Sequence, residues 1–451
     1  MVFRVWVSAL GLTALTACAT YAPQALPDKI NIPQSAAAIS VQPTQLPFRS
    51  LRSHVFDPVD GLDSDEVAML AVANNPQLRQ ARDGLGVARA QAFAAGLLPD
   101  PQLGVTSDHP TNGGAGTMNA FNYNVSYDVN ALLLRSSRKN AANRDVERIN
   151  MELLWQEWQV VSQARLLFTR LTTQAALMQQ LQTARKLLMQ RYQASQHAMA
   201  AGNMTLDAAS ADFVALQNVE RQINELERNV VQNRASLNAL LGLAATAQVV
   251  LVGEAHPAWL DTKAVAADMT QRLIKRPDLL ALQAGYQSQE EKYRGAVLAQ
   301  FPMLNVGLTR ARDTAGLYTM GFGLSLSLPI FNRNRGNIAI EQATRNKLFN
   351  EYQDRLNSAH SEINLALENI PLLQTQLQRT RDGVATLQQL AQHAATAYRA
   401  GNLAAPDYVR LQTGLLDKQT ESINLAEALA EQRIALETLL GPDLPELGSG
   451  Q

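Results

Sequence analysis

The feature that most limits the fold is a stretch of 66 residues, from Arg135 to Ala200 (200−135+1), with neither proline nor glycine. As one α-helix it would extend about 100 Å, more than a compact domain can enclose, at a rise of about 1.5 Å per residue. Its apolar residues recur at the spacing of a coiled-coil seam: Leu167, Leu171, Met178, Leu181, Leu188 and Tyr192. The chain is therefore expected to be elongated and mainly α-helical, with long helices packed along their length.

The sequence also contains an internal duplication. Four short motifs occur twice in the same order, 201 or 199 residues apart: Asn75-Pro76-Gln77-Leu78 and Arg276-Pro277-Asp278-Leu279; Pro101-Gln102-Leu103 and Pro302-Met303-Leu304; Ala201-Gly202-Asn203 and Ala400-Gly401-Asn402; Leu240-Leu241-Gly242 and Leu439-Leu440-Gly441. A period of about 200 residues is too long for a solenoid repeat of 20 to 50 residues. We therefore expect two structurally equivalent units related by pseudo-symmetry.

Each copy contains a segment with the strict period of a β-strand. Apolar and polar residues alternate from Phe121 to Val129 and from Tyr318 to Leu328, and shorter partners precede them from Leu103 and Leu304. This alternation predicts one β-hairpin near 103–129 and another near 303–329, each with one apolar and one polar face. The alternation alone fits either a soluble sandwich or a membrane barrel. Because four strands cannot close a barrel, a membrane barrel would have to be shared between subunits.

Glycine followed by asparagine ends each long helical stretch. Gly202-Asn203 and Gly401-Asn402 provide the helix stop and reversal that a helical hairpin requires, and a return helix of about 40 residues follows each. The sequence therefore predicts hairpin tips near residues 202 and 401.

The N-terminus resembles that of a bacterial lipoprotein. Arg4 and an apolar stretch precede Leu15-Thr16-Ala17-Cys18, which matches a lipobox. The resemblance implies cleavage before Cys18 and acylation, including palmitate, of this one cysteine; Ala19 resembles an outer-membrane sorting residue. The alternative is an incidental cysteine near an ordinary cleavage site. The proline-rich segment that follows is expected to run extended as a strap.

These landmarks divide the chain into five segments: a signal peptide (1–17), a lipid-anchored strap (18–59), a first repeat (60–250), a second repeat (251–442) and a short tail (443–451). Within the first repeat, residues 247–252 are expected to form a short strand.

Composition argues against several classes of function. A formal net charge of −1 provides no basic surface for nucleic acid. The six histidines form neither a His-Glu-x-x-His motif nor an i, i+4 pair, and no glycine-rich phosphate loop is present. No catalytic residue, metal site or cofactor is therefore expected.

Taken together, the lipobox, the two copies of helix, hairpin, long helix and return helix, and the Ala-Gly-Asn tips resemble the TolC-like family of outer-membrane efflux factors. Residues 328–336, Leu-Pro-Ile-Phe-Asn-Arg-Asn-Arg-Gly, resemble the strand-to-helix junction of its heavy-metal branch, the CzcC- and CusC-like proteins. The first copy departs from this pattern, with Val-Asn-Ala-Leu-Leu-Leu at residues 129–134.

The resemblance implies a homotrimer in which about 12 strands form one outer-membrane β-barrel, continued by a helical tunnel in the periplasm. The trimer would be a passive exit duct that docks with a periplasmic adaptor and an inner-membrane pump of the RND type. It implies no enzymatic activity and no cofactor other than the covalent lipid on Cys18. Heavy-metal cations are the expected substrate, and small organic molecules or drugs are the alternative.

The resemblance also suggests site residues. Close approach of small residues favours adaptor contact at the tips: Ala201, Gly202, Asn203, Arg399, Ala400, Gly401 and Asn402. Asp407 resembles the acidic residues that ring the periplasmic constriction in this family, and Asp207 is the nearest candidate in the first copy. The alternatives are that the glycines only cap helices and that Asp407 only favours the dipole of its helix. A remote alternative for the whole chain is a periplasmic lipoprotein scaffold of coiled coils.

Overall fold

The computed structural model describes residues 21–114, 116–253 and 262–442. The expected signal peptide, Cys18 and the tail from residue 443 lie outside the described residues. Within these ranges the protein consists of long helices and one four-stranded sheet. This architecture confirms the expectation of a mainly α-helical, duplicated protein with two β-hairpins.

The strap and the first repeat contain these elements in chain order: α1 (Arg49–Arg52), α2 (Ser64–Asn74), α3 (Pro76–Ala95), β1 (Gln102–Asp108), β2 (Ala120–Asp128), α4 (Val129–Ala200) and α5 (Leu206–Leu240). The second repeat contains α6 (Thr262–Leu273), α7 (Pro277–Leu298), β3 (Met303–Arg312), β4 (Tyr318–Ser327), α8 (Arg335–Arg399) and α9 (Ala405–Leu440). Each repeat thus places a hairpin of strands between a shorter helix and a long helical hairpin. No helix among the described residues is both long and apolar enough to cross a bilayer.

Helix α4 has 72 residues and is about 108 Å long. It begins six residues before Arg135 because Asp128, the last residue of β2, caps it. Asp128 Oδ1 accepts hydrogen bonds from the backbone N–H groups of Asn130 and Ala131, at 2.9 and 3.1 Å. Strand β2 therefore continues directly into the helix.

The second repeat makes the same transition differently. Strand β4 ends at Ser327 and α8 begins only at Arg335, with Pro329 between them. Arg333 and Asn334 adopt left-handed backbone conformations, with φ of 48° and 55°. The sequence difference between the copies at this junction thus corresponds to a turn that the first copy lacks. Helix α8 then continues through Pro371 for 65 residues, about 98 Å.

The coiled-coil seam of α4 is buried as its spacing predicts. Leu167 and Leu171 pack in the core of the first repeat, and Leu181 and Leu188 pack nearer the tip. This second cluster also includes Leu416 of α9, so the two helical hairpins share a core. The long helices therefore cover one another's apolar seams.

The two β-hairpins form one antiparallel sheet in the order β1-β2-β3-β4. Strands β2 and β3 join the repeats in a register that places Phe121 opposite Arg312, while Met303 lies opposite Ser327 in the next pair. The outer edges of β1 and β4 have no partner strand within the described ranges. The sheet is therefore open on both sides in a single chain.

The strap is less extended than the proline content suggests. It contains two short 3-10 helices, Ala36–Ala38 and Pro43–Gln45, followed by α1. Phe48 is 1% exposed and meets the Trp158 ring edge-on, with the ring centroids 5.1 Å apart. Apolar side chains of the strap therefore form part of the core.

The expected strand at 247–252 is a single parallel bridge between Leu251 and Leu62. The Leu62 N–H donates to the Val250 carbonyl at 2.9 Å, and the Val252 N–H donates to the Leu62 carbonyl at 3.0 Å. Only one residue of the facing segment takes part, so the pairing does not extend into a strand.

Side chains at equivalent positions of the two repeats donate hydrogen bonds to carbonyl groups at the C-terminal ends of the return helices. Asn75 Nδ2 donates to the Leu240 carbonyl at 2.9 Å, and Arg276 Nη1 donates to the Leu439 carbonyl at 2.8 Å. Both residues directly precede the proline that begins a helix, Pro76 or Pro277. The pseudo-symmetry is therefore kept in the hydrogen bonds even where the side chains differ.

The Arg276 side chain is fully buried, and its charge is balanced by Asp278 through two hydrogen bonds of 3.0 and 2.8 Å. Asp278 also accepts from Arg355 at 2.8 Å. Burial by itself raises the pKa of the Asp278 carboxyl, but the hydrogen bonds and charges of the two arginines outweigh it, so that the pKa is lowered. The ionised carboxylate therefore stabilises the fold.

We predict that this contribution depends on pH. Because the pKa of Asp278 is lower in the folded than in the unfolded chain, where it is about 3.8, the stabilisation is complete above pH 4 to 5 and is lost as the pH falls through the folded pKa. Asp278→Asn should lower the urea concentration at the midpoint of unfolding at neutral pH. As the pH is lowered, this midpoint should fall less steeply in the variant than in the wild type. Asp268→Asn, which changes a side chain that is 54% exposed, is the control. An unchanged acid profile in Asp278→Asn would contradict the assignment.

Candidate functional site

The sheet has one largely apolar face. Its apolar residues alternate along the four strands and share a register: Leu103, Val105, Phe121, Tyr123, Val125, Tyr127, Leu304, Val306, Leu308, Tyr318, Met320, Phe322, Leu324 and Leu326. Many of these side chains are exposed in the single chain; Met320 is 80% exposed, Phe322 69% and Leu324 61%. The opposite face carries small and polar residues such as Asn124, Gly321 and Ser325. An exposed apolar patch of this size on a four-stranded sheet marks an interaction surface.

The hairpin tips have the same geometry in both repeats. Gly202 and Gly401 both have φ of +75°, and open space surrounds the position of a Cβ at each. The Asn203 N–H donates to the Ala198 carbonyl and the Asn402 N–H to the Ala397 carbonyl, both at 2.8 Å. These are the hydrogen bonds of a Schellman motif, so the glycines cap α4 and α8. The tip residues remain exposed, as contact with a partner would require.

The two aspartates proposed from the sequence lie at corresponding places in the return helices. Asp207 is in the first turn of α5 and Asp407 in the first turn of α9, where carboxylates are stabilised by the helix dipole. Both are exposed or nearly so in the single chain. Asp407 forms an ion pair with Arg410, three residues on in the same helix. Asp407 thus lies at a helix terminus with a cationic neighbour, and its role as a gate stays a prediction.

A buried polar cluster lies close to the tips and was not expected from the sequence. We call it the tip cluster; it comprises Arg191, Ser195, Asp212, Tyr398 and Tyr408. Arg191 Nε donates to Asp212 Oδ1 at 2.7 Å, and the Ser195 hydroxyl donates to the other carboxylate oxygen. The Asp212 side chain is completely buried and that of Arg191 is 9% exposed. The charge pair is therefore shielded from water.

The tip cluster connects the two helical hairpins. The guanidinium carbon of Arg191 lies 4.7 Å from the ring centroids of both Tyr398 and Tyr408, which stack 5.0 Å apart. Arg191 Nη2 also donates to the Ala405 carbonyl at 3.1 Å, at the start of α9. Hydrogen bonds and cation–π contacts from one arginine thus tie the first hairpin to both helices of the second.

A signal for this cluster is present in the sequence. Buried residues of α5 follow the coiled-coil spacing, and an aspartate occupies one position among them: Ala209, Asp212, Leu216, Val219, Ile223 and Leu226. A charged residue in an apolar seam needs a buried partner. The partner could not be identified from the sequence because Arg191 and the two tyrosines come from three other helices.

Among the described residues, one group of side chains is close enough to hold a metal ion: His54, Asp63 and Glu66. Its carboxylates already have partners. Glu66 accepts from the backbone N–H groups of Asp57 and Asp63, at 2.6 and 2.9 Å, and Asp63 caps α2. The group is therefore a helix capping box, with His54 Nε2 3.0 Å from Asp63 Oδ2.

Comparison with known proteins finds a family match over part of the chain and a shared fold over most of it. The family described as outer membrane efflux protein matches residues 269–442, which is most of the second repeat. The structure of the Campylobacter jejuni CmeC outer membrane channel has the same fold, with a TM-score of 0.74, 17% identity and 96% of each chain covered. The second repeat thus matches the outer membrane efflux protein family, and the shared fold agrees with the resemblance to TolC-like proteins seen in the sequence.

Two sequence relatives are named for metal resistance and for cation efflux. The cobalt-zinc-cadmium resistance protein CzcC of Cupriavidus metallidurans is 24% identical over 379 residues, covering 82% of this chain and 88% of CzcC. The cation efflux system protein CusC of Escherichia coli O6:H1 is 25% identical over 182 residues, or 38% of this chain. That second match spans only 40% of the length of CusC.

The tip cluster provides a prediction. Asp212→Asn leaves the buried Arg191 without a counter-charge, and breaking a buried ion pair costs about 3–5 kcal/mol. The variant should therefore unfold at a lower urea concentration, as followed by far-UV circular dichroism. Glu225→Gln, which neutralises an exposed carboxylate on the same helix, should shift the midpoint little. Equal shifts in the two variants would show that the pair does not stabilise the tips.

Proposed function

We propose that this protein is the outer-membrane channel subunit of a tripartite efflux system and serves as a passive exit duct. The observation that carries the proposal is a sheet with one largely apolar face at the end of two helical hairpins about 100 Å long. The family match and the fold shared with CmeC support it. Members of this family are channels, not enzymes.

The open sheet supports a trimeric barrel. Unpaired strand edges are prohibitive in lipid, and barrels of about eight or more strands are needed to remove them. Three chains with four strands each would supply 12, with β4 of one chain beside β1 of the next. The apolar face would contact lipid, and the face with Asn124 and Ser325 would line the lumen.

The helices would continue the barrel as a periplasmic tunnel. Helices α4 and α8 bury apolar seams against their return helices, and the two hairpins share a core near the tips. Three copies of this arrangement would enclose a passage whose far end is formed by the exposed Gly202 and Gly401 tips. We place the periplasmic adaptor at these tips, and an RND-type pump in the inner membrane behind it.

The N-terminal sequence supports a lipid anchor in the outer membrane. A lipid on Cys18 would hold the strap at the outer membrane of a Gram-negative bacterium. The strap residues from 33 to 52 pack against the helical core: the Ala244 N–H donates to the Pro33 carbonyl at 2.9 Å, and Leu51 is fully buried. Acyl chains and barrel would thus anchor the same trimer.

Heavy-metal cations are the proposed substrate. The support comes from two relatives, the cobalt-zinc-cadmium resistance protein CzcC and the cation efflux system protein CusC, together with residues 328–336. The alternative substrate class is small organic molecules, since a wide aqueous duct imposes little selectivity of its own. The pump that delivers the substrate would set the specificity.

The gate would be formed where the return helices begin. Three Asp407 carboxylates around the axis would favour cations, and Arg410 in each chain would offset their repulsion. Asp207 would take the corresponding place in the first repeat. The tip cluster would hold the two hairpins together in the closed state.

The membrane assignment is tested by two neighbouring residues. Leu324 lies on the apolar face and Ser325 on the opposite face. Leu324→Arg should impair insertion, at a cost of about 2–4 kcal/mol near the bilayer midplane. Ser325→Arg should be tolerated. Outer-membrane fractionation and growth on divalent metal salts would measure insertion and efflux, and equal behaviour of the two variants would refute the facing of the sheet.

The gate is tested by Asp407→Asn. If the carboxylates face a narrow pore, the assembled trimer should lose cation selectivity and sensitivity to block by multivalent cations in single-channel recordings. If Asp407 acts only at the helix terminus, stability should fall by about 0.3–1 kcal/mol with selectivity unchanged. Glu225→Gln is the control for charge. Unaltered selectivity and block would eliminate the gate assignment.

A further inference from the structure

Two arginines interrupt the apolar face at the end of the sheet that carries the strand-connecting loops. Arg310 and Arg312 alternate along β3 with Thr309 and Ala311, so both side chains lie on the same face as Leu308. Elsewhere on this face the described strands carry apolar or aromatic residues and Ser107. The arginines are therefore the charged positions on the surface proposed to contact lipid.

Aromatic residues lie on both sides of Arg312 and on one side of Arg310. Arg312 lies between Phe121 and Tyr318 in the register, with its guanidinium carbon 4.5 and 6.0 Å from their ring centroids. Arg310 lies between Tyr123 and Met320. Phe121 also meets the edges of Tyr123 and Tyr318, at centroid distances of 5.3 and 6.2 Å. The group is thus an aromatic belt that contains two cations.

The guanidinium groups lack carboxylate partners. Arg312 Nη2 donates to the Asn119 carbonyl at 2.8 Å, whereas its Nε has no hydrogen-bond partner. Arg310 is exposed, and neither arginine forms an ion pair with a carboxylate of the described residues. The rings of Phe121 and Tyr318 lie within cation–π distance of the Arg312 guanidinium, and its Nε is buried in the single chain without an oxygen acceptor.

The height of the arginines along the strand matches the edge of the hydrocarbon layer of a bilayer. Strand β4, Tyr318–Ser327, has ten residues and is about 33 Å long along its axis, or about 25 Å in height at the usual tilt. An apolar band about 25 Å tall, flanked by aromatic residues, is the outer surface of a membrane barrel. Arg312 lies opposite Tyr318, so it would reach the headgroup level where the hydrocarbon ends.

We propose that Arg310 and Arg312 bind the phosphate groups of an anionic glycolipid in the outer leaflet, of the diphosphorylated lipid A type. The inference rests on the proposed function, because it needs the apolar face to contact the outer membrane. Guanidinium groups bind phosphate oxygens through paired, charge-assisted hydrogen bonds. Two arginines two residues apart on one strand face present such groups to one headgroup, while the acyl chains lie along Leu308 and Phe322.

The proposal is tested with the full-length channel purified from outer membranes. The trimer is exchanged into detergent, titrated with hexa-acylated diphosphorylated lipid A or with phosphatidylcholine, and examined by native mass spectrometry. The wild-type trimer should retain lipid A in preference to phosphatidylcholine. Arg310→Gln/Arg312→Gln should reduce retained lipid A by roughly tenfold or more, since charged hydrogen bonds are the stronger kind.

A matched control removes two charges elsewhere. Arg294 and Lys347 have side chains that are 70% and 73% exposed on helices α7 and α8, and Arg294→Gln/Lys347→Gln should retain lipid A as the wild type does. Dephosphorylated lipid A should not be retained by any of the three proteins. Equal retention of lipid A by the two double variants, or equal retention of the dephosphorylated lipid, would overturn the proposal.

Failure of this inference is distinguishable from failure of the proposed function. Single-channel conductance and outer-membrane fractionation are measured on the same wild-type preparation. A conducting, membrane-inserted trimer without preference for lipid A overturns the glycolipid site alone. A wild-type protein that neither inserts nor conducts overturns both.

Discussion

The structure depends on the burial of apolar seams along helices that are too long to cover themselves. Helix α4 packs against α2, α3 and α5 of the first repeat and against α7 and α9 of the second. Contacts across the repeats include a hydrogen bond of 3.1 Å from Trp158 Nε1 to the Thr438 carbonyl, and Arg165, which pairs with both Asp65 and Glu437. Helices of both repeats thus contribute to the burial of the apolar seam of α4.

The same packing determines where the charged residues of the interior lie. Arg276 is fully buried and is neutralised by Asp278, and Asp212 is fully buried and is neutralised by Arg191. Each pair lies where helices of different parts of the chain meet, one near the ends of the return helices and one near the tips. Buried pairs add little net stability but are costly to break, so they favour one arrangement of the helices over shifted ones.

The helical body also fixes the sheet. Because α4 follows β2 directly and α7 leads into β3, the two strands enter the sheet side by side and join the hairpins of the two repeats. The result in one chain is an exposed apolar face and two open edges. An exposed apolar face and unpaired strand edges are both unfavourable in water. If copies of the chain close a barrel in the membrane, lipid covers the face and neighbouring strands pair the edges. Arg310 and Arg312, at one end of this face, would then lie at the level of the lipid phosphate groups.

Periodicity predicted most of the architecture. The spacing of apolar residues predicted the long helices, the alternation in 121–129 and 318–328 predicted the hairpins, and the repeated motifs predicted the duplication. The tip glycines were predicted because only a left-handed residue ends a helix in this way, and both have φ of +75°. The structure was needed to correct the strand expected at 247–252 and the extended strap, since these depend on contacts with other segments.

What the sequence alone determined is therefore the local and periodic part of this protein: element types, their order, the two faces of the strands and the tips. The tertiary structure decided the tip cluster and the setting of Arg310 and Arg312 among aromatic rings. The physical reason is that periodicity depends on residues close together in the chain. Arg191, Asp212 and Tyr408 meet only because three helices, more than 200 residues apart at their extremes (408−191), pack together.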